Sequence, residues 1–62
     1  MNNIKKLREK LRLSQEELGK RLGVGGSAVS NWETNIANPT MEKAIELAKI
    51  LNCSIDELFK GG

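Results

Sequence analysis

The chain has 62 residues, 29% charged and 39% hydrophobic, and a formal net charge of +2. A chain this short buries only about 60% of its unfolded surface, which leaves room for one domain, residues 1–62, and excludes a second core or a separate catalytic domain. The balance of charged and apolar residues excludes a disordered polymer, and with only Trp32 and Phe59 as aromatics the core must be aliphatic.

The apolar spacing is helical along most of the chain. Ile4, Leu7 and Leu11 follow i, i+3, i+7 and predict a first helix over 3–12. Ser14-Gln15-Glu16-Glu17 is a capping box: the Ser14 hydroxyl accepts from the Glu17 backbone N–H, and the Glu17 carboxylate reaches back. A second helix over 15–22 follows, with Leu18 and Leu22 inward. Gly23 ends it as a residue able to take positive φ. Val24 plugs the turn. A third helix over 26–34 carries Val29 and Trp32, and Asn35 closes it in the left-handed conformation. Residues 35–39 form a loop in which Asn38, before Pro39, is extended.

Thr40 caps a fourth helix over 41–51, with Ala44, Ile45, Leu47, Ala48 and Leu51 as its apolar stripe. Asn52 and Cys53 form a break. Ser54-Ile55-Asp56-Glu57 is a second capping box and opens a fifth helix over 55–60 with Leu58 and Phe59. Gly61-Gly62 reads as a frayed tail or the start of a linker. No segment shows a strand pattern, so the fold class is all-α.

Charge is unevenly placed. Residues 1–21 hold seven of the ten basic side chains and three of the eight acids, so the amino-terminal half is the one to face an anionic partner. A solvated face of mixed charge is the plainer alternative. Cys53 is the only cysteine, which rules out a disulfide within the chain and suits a reducing compartment. In an apolar segment, it reads as core filler. The N-terminal stretch has no apolar h-region and no run approaches a membrane span of about 20 residues, so a cytoplasmic place and no membrane partner are expected.

Residues 15–34 narrow the choice among small helical bundles. A short helix, a Gly-Val-Gly turn and a second short helix make a helix-turn-helix, whose second helix enters the major groove while the first crosses the backbone. Gly19 is expected to face the second helix of the pair, where a small residue lets the axes approach. Ser27 and Asn31 lie four apart on the face opposite Val29 and Trp32. Asn pairs bidentately with adenine and Ser reaches several base edges; Ser30 is nearby. A solvated polar face is the alternative. There is no His, no metal-ligand cluster, and no Lys-Ser/Thr after Gly23-Val24-Gly25-Gly26. No enzyme, metal, cofactor or small-molecule ligand is therefore expected.

The blocks Leu13-Ser14-Gln15-Glu16-Glu17-Leu18, Leu22-Gly23-Val24, Ala28-Val29-Ser30-Asn31-Trp32-Glu33, Asn38-Pro39, Leu47-Ala48-Lys49-Ile50-Leu51 and Ser54-Ile55-Asp56-Glu57-Leu58-Phe59 occur in order and at matching spacing. Together they resemble the phage repressor/Cro-type family of transcription regulators, also called lambda-repressor-like, over roughly residues 4–59. The resemblance implies a compact five-helix domain that binds a pseudo-palindromic DNA operator as a dimer, in a repressor or other regulator. It implies that Gln15 holds a phosphate and braces the recognition helix, and that Thr34, Asn35 and Asn38 touch phosphates. It also implies an ion pair between Arg8 and Glu33, the acid that follows Trp32.

Two departures stand out. Gly25 and Gly26 occupy positions where the family carries base-contacting Ser, Arg, Gln or Thr, and Asn35 stands where it favours Gly. Gly25 can serve as an N-cap, but Gly26 has no such role, and a helical glycine costs about 1 kcal/mol relative to alanine. Base reading then rests on Ser27, Asn31 and DNA shape. The bare glycines keep open a second reading, an antitoxin-like or protein-interaction module with weak DNA specificity. Ile55, Leu58 and Phe59 either form a twofold contact or pack on helices 1 and 4.

Overall fold

A computed structural model describes residues 2–60, and the expectation for Gly61-Gly62 lies outside them. Five helices follow one another: α1 (Ile4–Lys10), α2 (Gln15–Leu22), α3 (Gly26–Glu33), α4 (Met41–Ile50) and α5 (Ile55–Phe59). No strand occurs among the described residues.

Four of these helices stop by the same device. Arg12, Gly23, Asn35 and Asn52 each take a left-handed φ, of 58°, 73°, 62° and 55°. After each helix the next N–H turns back to a carbonyl of the last turn: Leu13 to Arg8, Val24 to Gly19, Ile36 to Asn31 and Cys53 to Ala48. This satisfies carbonyls that a helix end otherwise leaves free. Gly23 and Asn35 behave as their chemistry predicts. Arg12 carries no such preference, and its left-handed turn ends α1 at Lys10, two residues before the expected boundary. α2 has its expected bounds, and α3, α4 and α5 end one residue early, within the usual fraying of helix termini.

The starts are as legible as the ends. Ser14 and Ser54 both form complete capping boxes with Glu17 and Glu57. The Thr40 side chain accepts from the Lys43 N–H.

Ile4, Leu18, Val29, Leu47 and Leu58 are fully buried, and Leu22, Trp32 and Leu51 nearly so. They form one cluster at the centre of the five helices. α2 and α3 make the most extensive helix contact, α1 lies on α3 and α5, and α4 lies on α2 and α5. Two expected core positions fall outside. Leu11 is 46% exposed, because the chain has already left the helical path that would carry it inward. Ile45 is 41% exposed: Ala44, Leu47, Ala48 and Leu51 share the inward stripe, and Ile45 sits on its flank. Cys53 is half-buried against the core, and burial pushes its thiol pKa up, which suits an inert filler.

Candidate nucleic-acid interface

The turn between α2 and α3 is set by two close approaches. A Cβ on Gly19 would lie 2.7 Å from the Val24 carbonyl oxygen and 3.0 Å from the Gly25 carbonyl carbon. The neighbour that requires glycine is therefore the backbone of the turn, not the facing helix as the spacing suggested. Gly25 is the N-cap of α3, with extended φ and ψ of −80° and 163° and no side-chain cap. A Cβ on Gly26 would lie 3.3 Å from both Cα and N of Glu16. The first turn of α3 thus rests directly on the first turn of α2, which gives Gly26 a packing role that the sequence pattern lacked.

Beneath this pair lies a buried polar brace. Arg8 Nε donates to Glu33 Oε2 at 2.6 Å and Nη2 donates to Oε1 at 3.3 Å, while Nη1 donates to the Leu13 carbonyl at 2.7 Å. Gln15 Nε2 donates to Glu33 Oε1 at 2.9 Å. The two charged side chains are only 9% and 4% exposed, so each would be costly to bury without the other. The hydrogen bond to Glu33 outweighs burial and raises the Arg8 pKa above its ordinary value. One carboxylate on the last turn of α3 thereby binds that helix to α1 and to the start of α2. The expected Arg8–Glu33 pair is present, and the expected bracing by Gln15 takes the form of a direct bond to the same acid.

Outside the brace, α3 turns its polar face to solvent. Ser27 and Asn31 are exposed, Ser30 is half-buried, and Val29 and Trp32 are buried on the opposite side. α3 has eight residues, and the helix diameter of about 10–12 Å with side chains suits a major groove about 12 Å wide. Gln15, Glu16, Lys20, Val24, Gly25, Gly26 and Ser27 line an open cleft at its leading end. Gln15 is half-buried at the edge of this cleft, with its carboxamide within the brace. Thr34, Asn35 and Asn38 are all exposed at the trailing end. Thr34 Oγ1 donates to the Ser30 carbonyl at 3.0 Å, so its proton is turned into the helix and lone pairs face outward.

Three residues of this region were not singled out by sequence patterning. Asn2 Nδ2 donates to the Trp32 carbonyl at 2.8 Å and to Asn35 Oδ1 at 3.2 Å, bridging 30 and 33 positions. Lys20 adds a basic side chain to the leading cleft. Lys43 Nζ donates to the Leu22 carbonyl at 2.7 Å and pairs with Glu46 at 3.3 Å, binding α4 to the end of α2. Only residues a few positions apart leave a periodic signature, so the Asn2 and Lys43 bonds had none; Lys20 was visible only as part of the basic half.

The expected dimer surface needs one correction. Leu58 is fully buried in the core, because its side of α5 faces the other helices. Ile55 and Phe59, 36% and 39% exposed, remain on the outer face, where Ile55 lines a shallow groove with Ile45, Ala48, Lys49, Asn52 and Cys53. Among the described residues, no group of His, Cys, Asp and Glu is placed to hold a metal ion. No helix among them is long and apolar enough to cross a membrane.

The Helix-turn-helix family model matches residues 4–58. Repressor protein C2 of Salmonella phage P22 is 43% identical over 58 residues, a match covering 94% of this chain and 27% of the phage protein. An HTH-type transcriptional regulator of Archaeoglobus fulgidus is 36% identical over 56 residues, covering 90% of this chain and 79% of that protein. The transcriptional activator BcrR of Enterococcus faecalis is 36% identical over 58 residues, which span 28% of its length. The chain therefore spans little more than a quarter of the phage repressor and of the activator. Among solved structures, the P22 c2 repressor in complex with a synthetic operator superposes with a TM-score of 0.89 at 42% identity, over 97% of this chain and 91% of that one.

Proposed function

The chain belongs to the Helix-turn-helix family, in its phage-repressor-like form, and from that premise we propose that it binds double-stranded operator DNA sequence-specifically as a transcription regulator of the repressor kind. The observation that carries this reading is the pairing of an exposed polar face with a rigid support. Ser27 and Asn31 face solvent on a helix whose last turn is held from below by Arg8 and Gln15 through Glu33. Side chains that read base edges must hold position to a fraction of an ångström, and locked packing behind them supplies that.

In this reading α3 lies in the major groove and α2 crosses the backbone. Asn31 reads an adenine edge, Ser27 and Ser30 contact neighbouring bases or phosphates, and Gly25 and Gly26 let the backbone of the leading turn come close. Gln15, Thr34, Asn35 and Asn38 lie along the phosphates on either side. The DNA is met in the cytoplasm by two copies joined through the outer face of α5, at Ile55 and Phe59.

Selection of duplexes from a random pool at two salt concentrations tests this. The chain should enrich one sequence, and that preference should survive salt that removes the counterion-driven background. Asn31→Ala should relax the preference at one base pair, while Gln15→Ala should weaken all sequences alike. Absence of any enriched sequence at either salt would overturn the proposal.

A further inference from the structure

The C-terminal end of a helix carries partial negative charge, so a phosphate approaching it is repelled unless the last carbonyls are covered by donors. Three of the last four carbonyls of α3, those of Ser30, Asn31 and Trp32, are covered. Ser30 O receives the Thr34 N–H and hydroxyl, and Asn31 O receives the N–H groups of Ile36 and Ala37. Trp32 O receives the Asn35 N–H and also the Asn2 side-chain amide, from the far end of the chain. Asn2 is itself held, because its Oδ1 accepts the Ile4 N–H at 3.1 Å.

The same Asn2 amide donates to Asn35 Oδ1. A carboxamide has one acceptor end and one donor end. With its oxygen turned inward to Asn2, Asn35 presents its Nδ2 donors outward, from an exposed residue at the very end of the recognition helix. The neighbouring Thr34 cannot supply a donor there, since its hydroxyl proton points to Ser30 O.

On the DNA-binding reading above, we propose that Asn2 is a positioning residue for that activity: it caps the recognition helix and turns Asn35 so that the Asn35 amide donates to a DNA phosphate. The contact is to backbone and so carries affinity rather than sequence choice.

The test is a double-variant cycle on affinity for the duplex that the wild-type chain selects, with thermal unfolding measured beside it. Asn35→Gly keeps the left-handed turn and removes the carboxamide. It should weaken binding about tenfold, as expected for loss of one hydrogen bond to a charged group. Asn2→Ala frees the carboxamide to rotate and should weaken binding severalfold with the enriched sequence unchanged. In the combined variant the two losses should fall short of their product, because the turning of Asn35 is the part of the Asn2 effect that needs the carboxamide. Asn2→Asp keeps the acceptor for Ile4 and removes the donor, which draws the Asn35 amide inward; it should weaken binding at least as much as Asn2→Ala. The proposal is overturned if Asn2→Ala leaves affinity unchanged, or if its effect is the same size with and without Asn35→Gly. The latter would mean Asn2 serves only helix stability. If the wild-type chain selects no duplex, the DNA-binding reading itself has failed; if it selects one and the cycle shows no coupling, only the role of Asn2 has.

Discussion

Glu33 shows how much a single buried carboxylate can organise. Its three donor contacts come from two side chains, Arg8 on α1 and Gln15 on α2, and it has little exposure to water that could replace them. Arg8→Leu should destabilise the fold by about 3 kcal/mol, because it strands an unpaired buried charge. The combined Arg8→Leu/Glu33→Leu variant should recover part of that loss, and denaturant unfolding of the variants measures both. Arg12 is a residue in the opposite condition. Its left-handed φ of 58° costs a side-chain-bearing residue about 1–2 kcal/mol that glycine does not incur. Arg12→Gly should therefore raise stability, by about 1 kcal/mol after the added freedom of the unfolded chain. The partners of Glu33 were visible in the sequence only through family resemblance, since a separation of 18 or 25 positions leaves no periodic trace. The strain at Arg12 was not visible at all, because nothing about arginine marks a helix end.

At the scale of elements, α2 is specified from within. The Ser14 hydroxyl accepts the Glu17 N–H and the Glu17 carboxylate accepts the Ser14 N–H, both at 2.9 Å. Hydrogen bonding from Ser14, its backbone N–H first and its side chain second, holds the Glu17 carboxyl below its usual pKa. A lowered folded-state pKa means that the contribution to stability is present above the unfolded value of about 4.3 and lost as pH falls through the folded value. Glu17→Gln should therefore be less stable than wild type near neutral pH, with the gap closing in acid. Unfolding midpoints across pH 2–7 measure this, and an unchanging gap would contradict it. α3 lacks such a box. Gly25 caps it without a side chain and Gly26 lies against Glu16, so this helix depends on its neighbours. Gly26→Val should disturb the α2–α3 contact through its Cβ, whereas Gly25→Ser meets open space, its Cβ no nearer than 3.8 Å to Ser27 Oγ, and should add a helix cap.

Across the whole molecule, α5 divides its residues between the core, which takes Leu58, and the outer face, which carries Ile55 and Phe59. Leu58→Ala removes a fully buried side chain and should cost about 3 kcal/mol of stability. Phe59→Glu lies on the outer face and should leave the fold intact while abolishing the proposed association of two copies on the operator. Calorimetry and sedimentation separate the two outcomes. The five helices, the Ser14, Thr40 and Ser54 caps and the Gly23 turn were legible in residue order, because periodicity, capping and left-handed closure act over four or five positions. The general division of α3 into a buried Val29/Trp32 side and an exposed Ser27/Asn31 side was legible for the same reason. Packing settled the rest. It fixed which carbonyl Gly19 must clear, why Gly26 is tolerated, which of Leu58 and Phe59 turns inward, and how Asn2 reaches the end of the recognition helix. These depend on residues remote in the chain, whose directions are fixed only once the helices rest on one another.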